Sequence, residues 1–152
     1  MPDGSVVLMV RNDAGARDVA LGKKSFNVFT YTDVAKGEGY WSEAVSGITG
    51  MAGACNNALK LVPAIRRSDG KPTHVAIVPL PFHTQFARDV ENNYGRKSVG
   101  FYYKEISSPA DYASGAALAD GWKRGYQVTD RCSAYTDLCL MSDGQIALFM
   151  ED

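Results

Sequence analysis

Two arginines in this 152-residue sequence stand at the ends of predicted strands, where a β scaffold usually carries its chemistry. Arg11 follows the apolar run of residues 6–10, and Arg96 lies just before the run of residues 98–103. Because the planar guanidinium offers a fork of donors, an arginine at such a position can bind a carboxylate or a phosphate. Taken singly, each arginine is also typical of a surface ion pair.

Tyr135 and Glu151 form the second pair of candidate residues. Tyr135 stands at the entrance to a predicted strand, and Glu151 ends the strand that follows it. The sixteen residues from one to the other span a hairpin that turns at residues 143–144, so both side chains are expected at the same edge of a sheet. The alternative is a core tyrosine with a satisfied hydroxyl and a glutamate on the surface.

The remaining reactive side chains match no known site pattern. His74 and His83 have no cysteine or acidic residue at a metal-ligand spacing, and Cys55, Cys132 and Cys139 form no C-x-x-C pair. The sequence also has no glycine-rich phosphate loop and no HExxH or GxSxG motif. It therefore predicts neither a metal nor a cofactor.

Composition narrows the class of partner. Sixteen Lys and Arg against seventeen Asp and Glu give a formal net charge of −1, which offers no basic field for nucleic acid. The longest apolar runs fall far short of the about 18 residues that cross a bilayer. The opening residues 1–4 form a polar turn and not a secretory signal, so no export signal is predicted and the location of the chain stays open.

Short apolar and β-branched runs alternate with turn residues along the whole chain, which predicts one all-β domain over residues 1–152. Turns are predicted at residues 12–15, 68–70, 92–95 and 142–144, and residues 82–90 and 110–119 could instead form short helices. The predicted strands cover residues 6–10, 19–21, 27–31, 58–62, 74–78, 98–103, 135–141 and 145–150.

An Asp-Gly turn that leads into an apolar strand recurs at residues 3–4, 69–70 and 143–144. One supersecondary unit repeated around an axis, as in a propeller, would produce this pattern. A sandwich or a barrel remains an alternative, because Asp-Gly turns are common in β proteins.

The first of these turns has only two residues before it, although a hairpin needs a strand on each side. We therefore expect a partner strand to be missing and the chain to be truncated. An unpaired sheet edge exposes backbone donors and acceptors, which predicts self-association through open edges.

Three segments, taken in order, resemble the second half of a bacterial-type exo-α-sialidase (neuraminidase) with Asp-box repeats. They are Pro-Asp-Gly-Ser-Val-Val-Leu-Met-Val-Arg-Asn at residues 2–12, Gly-Arg-Lys-Ser-Val at residues 95–99, and the stretch from Ser-Ala-Tyr-Thr-Asp-Leu to Phe-Met-Glu at residues 133–151. The resemblance implies a partial six-bladed β-propeller with about three blades of four-stranded antiparallel sheets. Degenerate Asp boxes stand at residues 32–41 and 120–122.

The resemblance also implies roles for the four candidate residues. Tyr135 matches the catalytic nucleophile, Arg11 and Arg96 match two of the three arginines that bind the carboxylate of sialic acid, and Glu151 matches the glutamate that holds one of those arginines. A neutral phenol suits this task, because the substrate carboxylate would repel an anionic Asp or Glu nucleophile.

The resemblance implies sialylated glycoconjugates as partners and a parent enzyme that is secreted, periplasmic or lysosomal. The first arginine, the acid/base aspartate and the tyrosine-activating glutamate of that family are expected upstream of Met1, so the isolated chain is expected to be inactive. One alternative is a glycan-binding propeller without catalysis. Another is a structural β domain whose arginines pair with surface acids.

Overall fold

The computed structural model describes residues 1–12, 23–49, 55–82, 97–131, 133 and 135–151. Regular structure in these ranges is mostly antiparallel β, which confirms the predicted all-β class. Two short helices are a 3-10 helix over Pro109–Tyr112 and α1 over Gly115–Ala119. The strands are β1 (Val6–Asn12), β2 (Lys23–Asp33), β3 (Glu38–Trp41), β4 (Val45–Thr49), β5 (Lys60–Ile65), β6 (Pro72–Pro81), β7 (Val99–Ile106), β8 (Lys123–Gln127), β9 (Thr136–Leu140) and β10 (Ile146–Met150).

These strands form three sheets. In the first sheet β1 pairs with one edge of β2, and β3 and β4 share the other edge of β2. The second sheet is the meander β5-β6-β7-β8, and the third is the hairpin β9-β10. The number of sheets equals the number of blades predicted, but the described part of the third sheet has two strands where four were predicted. The arrangement of the sheets as propeller blades stays a prediction.

The main core lies between the first and second sheets. Phe26 and Val28 of β2 belong to one buried cluster with Ala76, Val78 and Leu80 of β6. The spacing of two along each strand places these side chains on one face, so the two sheets bury their facing sides against each other. Complete burial of a side chain such as Leu80 contributes about 1.5–3 kcal/mol to stability.

The two helices cover one end of this core. Helix α1 begins after Ser114, whose hydroxyl oxygen accepts a hydrogen bond from the Ala117 N–H at 3.1 Å. Lys104 of β7 is buried, and its ammonium group donates to the backbone carbonyls of Asp111 (3.0 Å) and Ala117. Of the two segments that could form short helices, residues 110–119 do contain one, as a short turn held by a lysine from the sheet.

The three Asp-Gly turns share one geometry. Their glycines have positive φ angles of 88°, 69° and 83° at Gly4, Gly70 and Gly144. Each aspartate Oδ1 accepts a hydrogen bond from the backbone N–H two residues later, at 2.9 Å (Asp3), 3.2 Å (Asp69) and 3.0 Å (Asp143). The turns lead into β1, β6 and β10, one strand in each of the three sheets. A strand precedes the turn in the second and third sheets, whereas β1 lies at the edge of the first.

Three strands were not predicted, namely β3, β4 and β8. Strand β3 is exposed along its whole length, and β8 has the polar sequence Lys-Arg-Gly-Tyr-Gln, so neither has the apolar alternation that indicates a strand. Outside the described residues lie the strand predicted at residues 19–21, the turn predicted at residues 92–95 and all but Asn12 of the turn predicted at residues 12–15. Nearly all of the segment at residues 82–90, which could form a short helix, lies outside them too.

Asp111 of the 3-10 helix is surrounded by hydrogen-bond donors. Its Oδ2 accepts from the backbone N–H groups of Ser107 and Ser108, each at 2.8 Å, and from their hydroxyls at 3.2 and 3.4 Å. Desolvation acts to raise the pKa of Asp111, but the hydrogen bonds from Ser108 and Ser107 outweigh it and the pKa is lowered.

A group with a lowered folded-state pKa stabilises the fold above its unfolded value, about 3.9 for aspartate, and loses this contribution as the pH falls through the folded-state pKa. We therefore expect Asp111→Asn to lower the free energy of unfolding by about 1–2 kcal/mol at neutral pH, as measured by urea titration. The difference from wild type should shrink at acid pH. The exposed Asp130→Asn is the control, and a loss for Asp111→Asn that is the same at both pH values would contradict the prediction.

Candidate functional site

Three of the predicted site residues lie in the described part of the chain: Arg11 near the end of β1, and Tyr135 and Glu151 beside the β9-β10 hairpin. Arg11 lies opposite Lys24 in the pairing of β1 with β2. Lys24 is only 1% exposed, and its ammonium group donates to the backbone carbonyl of Cys55. The end of β1 is thereby linked to residues 55–58, which lead into β5.

Residues 55–58 in turn lie beside the start of β9. Asn57 and Thr136 form a parallel β-bridge, in which the Ala58 N–H donates to the Thr136 carbonyl at 3.2 Å and the Thr136 N–H donates to the Asn56 carbonyl at 3.3 Å. This segment therefore connects the first sheet, through Lys24, to the strand that follows Tyr135.

Tyr135 and Glu151 meet across the β9-β10 hairpin, as the sequence predicted. Thr136 pairs with Met150, and the Glu151 N–H donates to the Tyr135 carbonyl at 3.1 Å, so the pairing continues by one residue beyond the strands. Both residues border an open depression of about 650 Å³, here called the Tyr135 depression. Its lining consists of Asn56, Asn57, Ala58, Tyr135, Thr136, Asp137, Phe149, Met150 and Glu151.

The lining of the Tyr135 depression suits a small hydroxylated molecule. Asp137 and Glu151 supply carboxylate oxygens that accept hydrogen bonds, and the amides of Asn56 and Asn57 both donate and accept them. The ring of Phe149 is 61% exposed and offers an apolar surface beside these groups. An apolar surface with a few convergent polar groups is typical of a site for a small ligand.

Arg11 does not belong to the lining of this depression. Strand β1 extends to Asn12, so Arg11 lies inside the strand and not after it as predicted. Because directly opposed residues project from the same face, Arg11 is on the face from which Lys24 reaches Cys55. Arg11 is exposed there.

Arg96 lies outside the described residues, but the strand that follows it does not. Strand β7 begins at Val99, which pairs with Pro81 at the end of β6, so the chain enters β7 at the same end of the molecule. Ser98 there has a φ of 62°, and its carbonyl accepts from the Phe82 N–H at 2.9 Å while its own N–H donates to the Arg131 carbonyl at 3.1 Å. These two bonds hold a left-handed backbone conformation that is uncommon for serine.

Several residues of the depression were not singled out from the sequence. The signal for Asn56 and Asn57 was their position, since two consecutive amides stand directly before a predicted strand. Arg11 and Glu151 also share a spacing in the sequence, because each stands eight residues after the aspartate of its Asp-Gly turn.

The described residues contain neither a cluster of metal-binding side chains nor a helix that could span a membrane. No group of three or more His, Cys, Asp or Glu in these ranges could hold a metal ion. No helix in the described part of the chain has the length and apolar character needed to cross a membrane.

A scan against models of known protein families gave no match, and a search of curated proteins gave none either.

Proposed function

We propose that this chain is the carboxy-terminal part of a retaining exo-α-sialidase, which hydrolyses terminal sialic acids from glycoconjugates. One observation carries the proposal: Tyr135 and Glu151 border the same depression and are joined across the β9-β10 hairpin, while Arg11 stands near the end of β1. The order of these residues along the chain is the order in the family that the sequence resembles. The all-β fold with three antiparallel sheets supports about three blades of a six-bladed propeller.

In this proposal the Tyr135 phenolate oxygen attacks the anomeric carbon as the bond to the leaving oxygen breaks. A base takes the phenol proton, and an acid protonates the leaving oxygen. Water then cleaves the glycosyl-tyrosine bond and restores the phenol, so two inversions give net retention. In the sialidase family that the sequence resembles, the acid/base aspartate and the tyrosine-activating glutamate belong to the first half of the catalytic domain.

The arginines supply binding and orientation. Arg11 and Arg96 bind the substrate carboxylate, and because guanidinium groups stay charged they do so at any physiological pH. Glu151 holds one arginine of the triad in position. The carboxylates around Tyr135 carry negative charge of their own, so a positively charged partner for the substrate carboxylate must come from outside the described lining of the depression.

A second candidate function is glycan binding without catalysis. The observation that favours it is the lining of the depression, where carboxylates, amides and the exposed Phe149 ring suit recognition of a hydroxylated ring. Binding and catalysis share the arginines and differ in the role of Tyr135.

A second copy of the chain is the proposed protein partner. The face of the first sheet opposite the core carries Val6, Leu8, Tyr31 and Trp41, all of which are more than a third exposed. Val6 and Trp41 both flank Phe29 in the strand pairing, so the exposed groups are neighbours on one face. A contiguous apolar face of this kind is typical of an association surface.

Calorimetry with free N-acetylneuraminic acid tests the binding role of Arg11. We expect the wild-type chain to bind the acid and Arg11→Ala to bind it at least about tenfold more weakly, because a charge-assisted hydrogen bond is lost. Arg67→Ala is the matched control, since Arg67 is an exposed arginine in the turn between β5 and β6, at the opposite end of the second sheet. Equal affinity of wild type and Arg11→Ala would exclude Arg11 from the site.

Turnover of a fluorogenic sialoside by the parent catalytic domain separates the two candidate functions. An enzyme should lose about a thousandfold or more of its rate in Tyr135→Phe, because the phenylalanine ring has no nucleophilic oxygen. Unchanged turnover would exclude Tyr135 as the nucleophile. Binding of the sialoside without any turnover by the wild-type domain would favour the glycan-binding function.

Sedimentation velocity over a range of concentrations tests self-association. We expect the wild-type chain to form dimers and the double substitution Leu8→Lys with Trp41→Lys to abolish them, since buried lysines would be unpaired at the apolar face. The exposed Tyr126→Lys, on the edge strand β8, is the control. A wild-type chain that stays monomeric at high concentration would contradict the prediction.

A further inference from the structure

Thr136, the residue directly after Tyr135, joins three distant parts of the chain. Its side chain is buried, and its hydroxyl donates to the Pro79 carbonyl of β6 at 2.8 Å and accepts from the Asn57 Nδ2 at 2.7 Å. Its backbone also forms the parallel bridge to residues 56–58. Four hydrogen bonds thus converge on one residue, to partners that are 57 and 79 residues away for the side chain.

These bonds attach the start of β9, in the third sheet, to β6 and to residues 56–58. In the described residues this sheet has two strands, and a two-stranded hairpin is weakly held by its own pairing. Leu138, two residues further along β9, is buried and supplies apolar packing. Packing of that kind has no direction, whereas the bonds of Thr136 set both the distance and the angle at which the start of β9 meets β6.

The same bonds shape the Tyr135 depression. Asn57 lines the depression, and the donation from its Nδ2 to Thr136 sets the orientation of its amide. On the other side of Tyr135, the Glu151 N–H donates to the Tyr135 carbonyl. The backbone of Tyr135 is therefore restrained on one side by the hairpin and on the other by Thr136.

We propose that Asn57 and Thr136 are positioning residues, which fix the place of the Tyr135 phenol in the lining of the depression. The proposal rests on the function proposed above for Tyr135. Thr136 acts through its hydroxyl and Asn57 through its amide. Neither residue is required to touch the reacting atoms.

Thr136→Val tests this proposal, because valine keeps the shape of threonine and removes both side-chain hydrogen bonds. Thr136→Ser keeps the hydroxyl and should restore them. Thr32→Val is the matched control, since it makes the same change at an exposed position near the end of β2. The main readout is the ring NMR signal of Tyr135 in a chain with 13C-labelled tyrosine, assigned by its absence in Tyr135→Phe. The second readout is the affinity for N-acetylneuraminic acid.

We expect Thr136→Val to shift the Tyr135 ring signal and to weaken binding about tenfold, because small displacements of a site group are costly. Thr136→Ser and Thr32→Val should match wild type in both readouts. A Tyr135 signal that is unchanged in Thr136→Val, or a Thr136→Ser chain that behaves like Thr136→Val, would overturn the proposal. If Thr136→Val does not fold, Asn57→Ala removes a single bond of the network, and its effect on the Tyr135 signal decides the question by the same criteria.

The two readouts separate this proposal from the function on which it rests. The ring signal needs no ligand, so a shift in Thr136→Val supports the positioning role even when the wild-type chain does not bind N-acetylneuraminic acid. Absence of wild-type binding counts against the proposed function. Intact wild-type binding with an unmoved Tyr135 signal in Thr136→Val counts against the positioning role alone.

Discussion

Burial of both faces of strand β6 is the constraint on which the rest of the structure depends. Alternate residues such as Val78 and Leu80 pack against the first sheet, while Pro79 between them is buried on the other face. The Pro79 carbonyl accepts a hydrogen bond from the Thr136 hydroxyl. A strand buried on both sides must have a layer on each, and these layers are the first sheet and the β9-β10 hairpin. The order of the three sheets follows from this one strand.

A strand follows each of the three Asp-Gly turns, and hydrogen bonds of Lys24 and of residues 55–58 connect the three sheets. Arg11 and Glu151 occupy the same position relative to their turns. The same turn spacing thus places a positive group at the end of β1 and a negative group after the end of β10.

Much of the fold could be predicted from the sequence. Strand β6 has an apolar run between turn residues, because it contributes to a buried layer. The edge strands β3 and β8 are exposed, so no burial pattern reveals them. The meeting of Tyr135 with Glu151 was predictable because the hairpin that joins them is local.

The sequence by itself determined the three Asp-Gly turns and the pairing across the β9-β10 hairpin, because an Asp side chain and a glycine with positive φ act within a few residues of chain. Only the tertiary structure decided that Asn57, Pro79 and Thr136 meet beside Tyr135. These residues are separated by at least 22 positions in the sequence, and no local pattern encodes which buried faces come together. Their contact depends on the packing of whole sheets, which satisfies the buried polar groups only after the layers have formed.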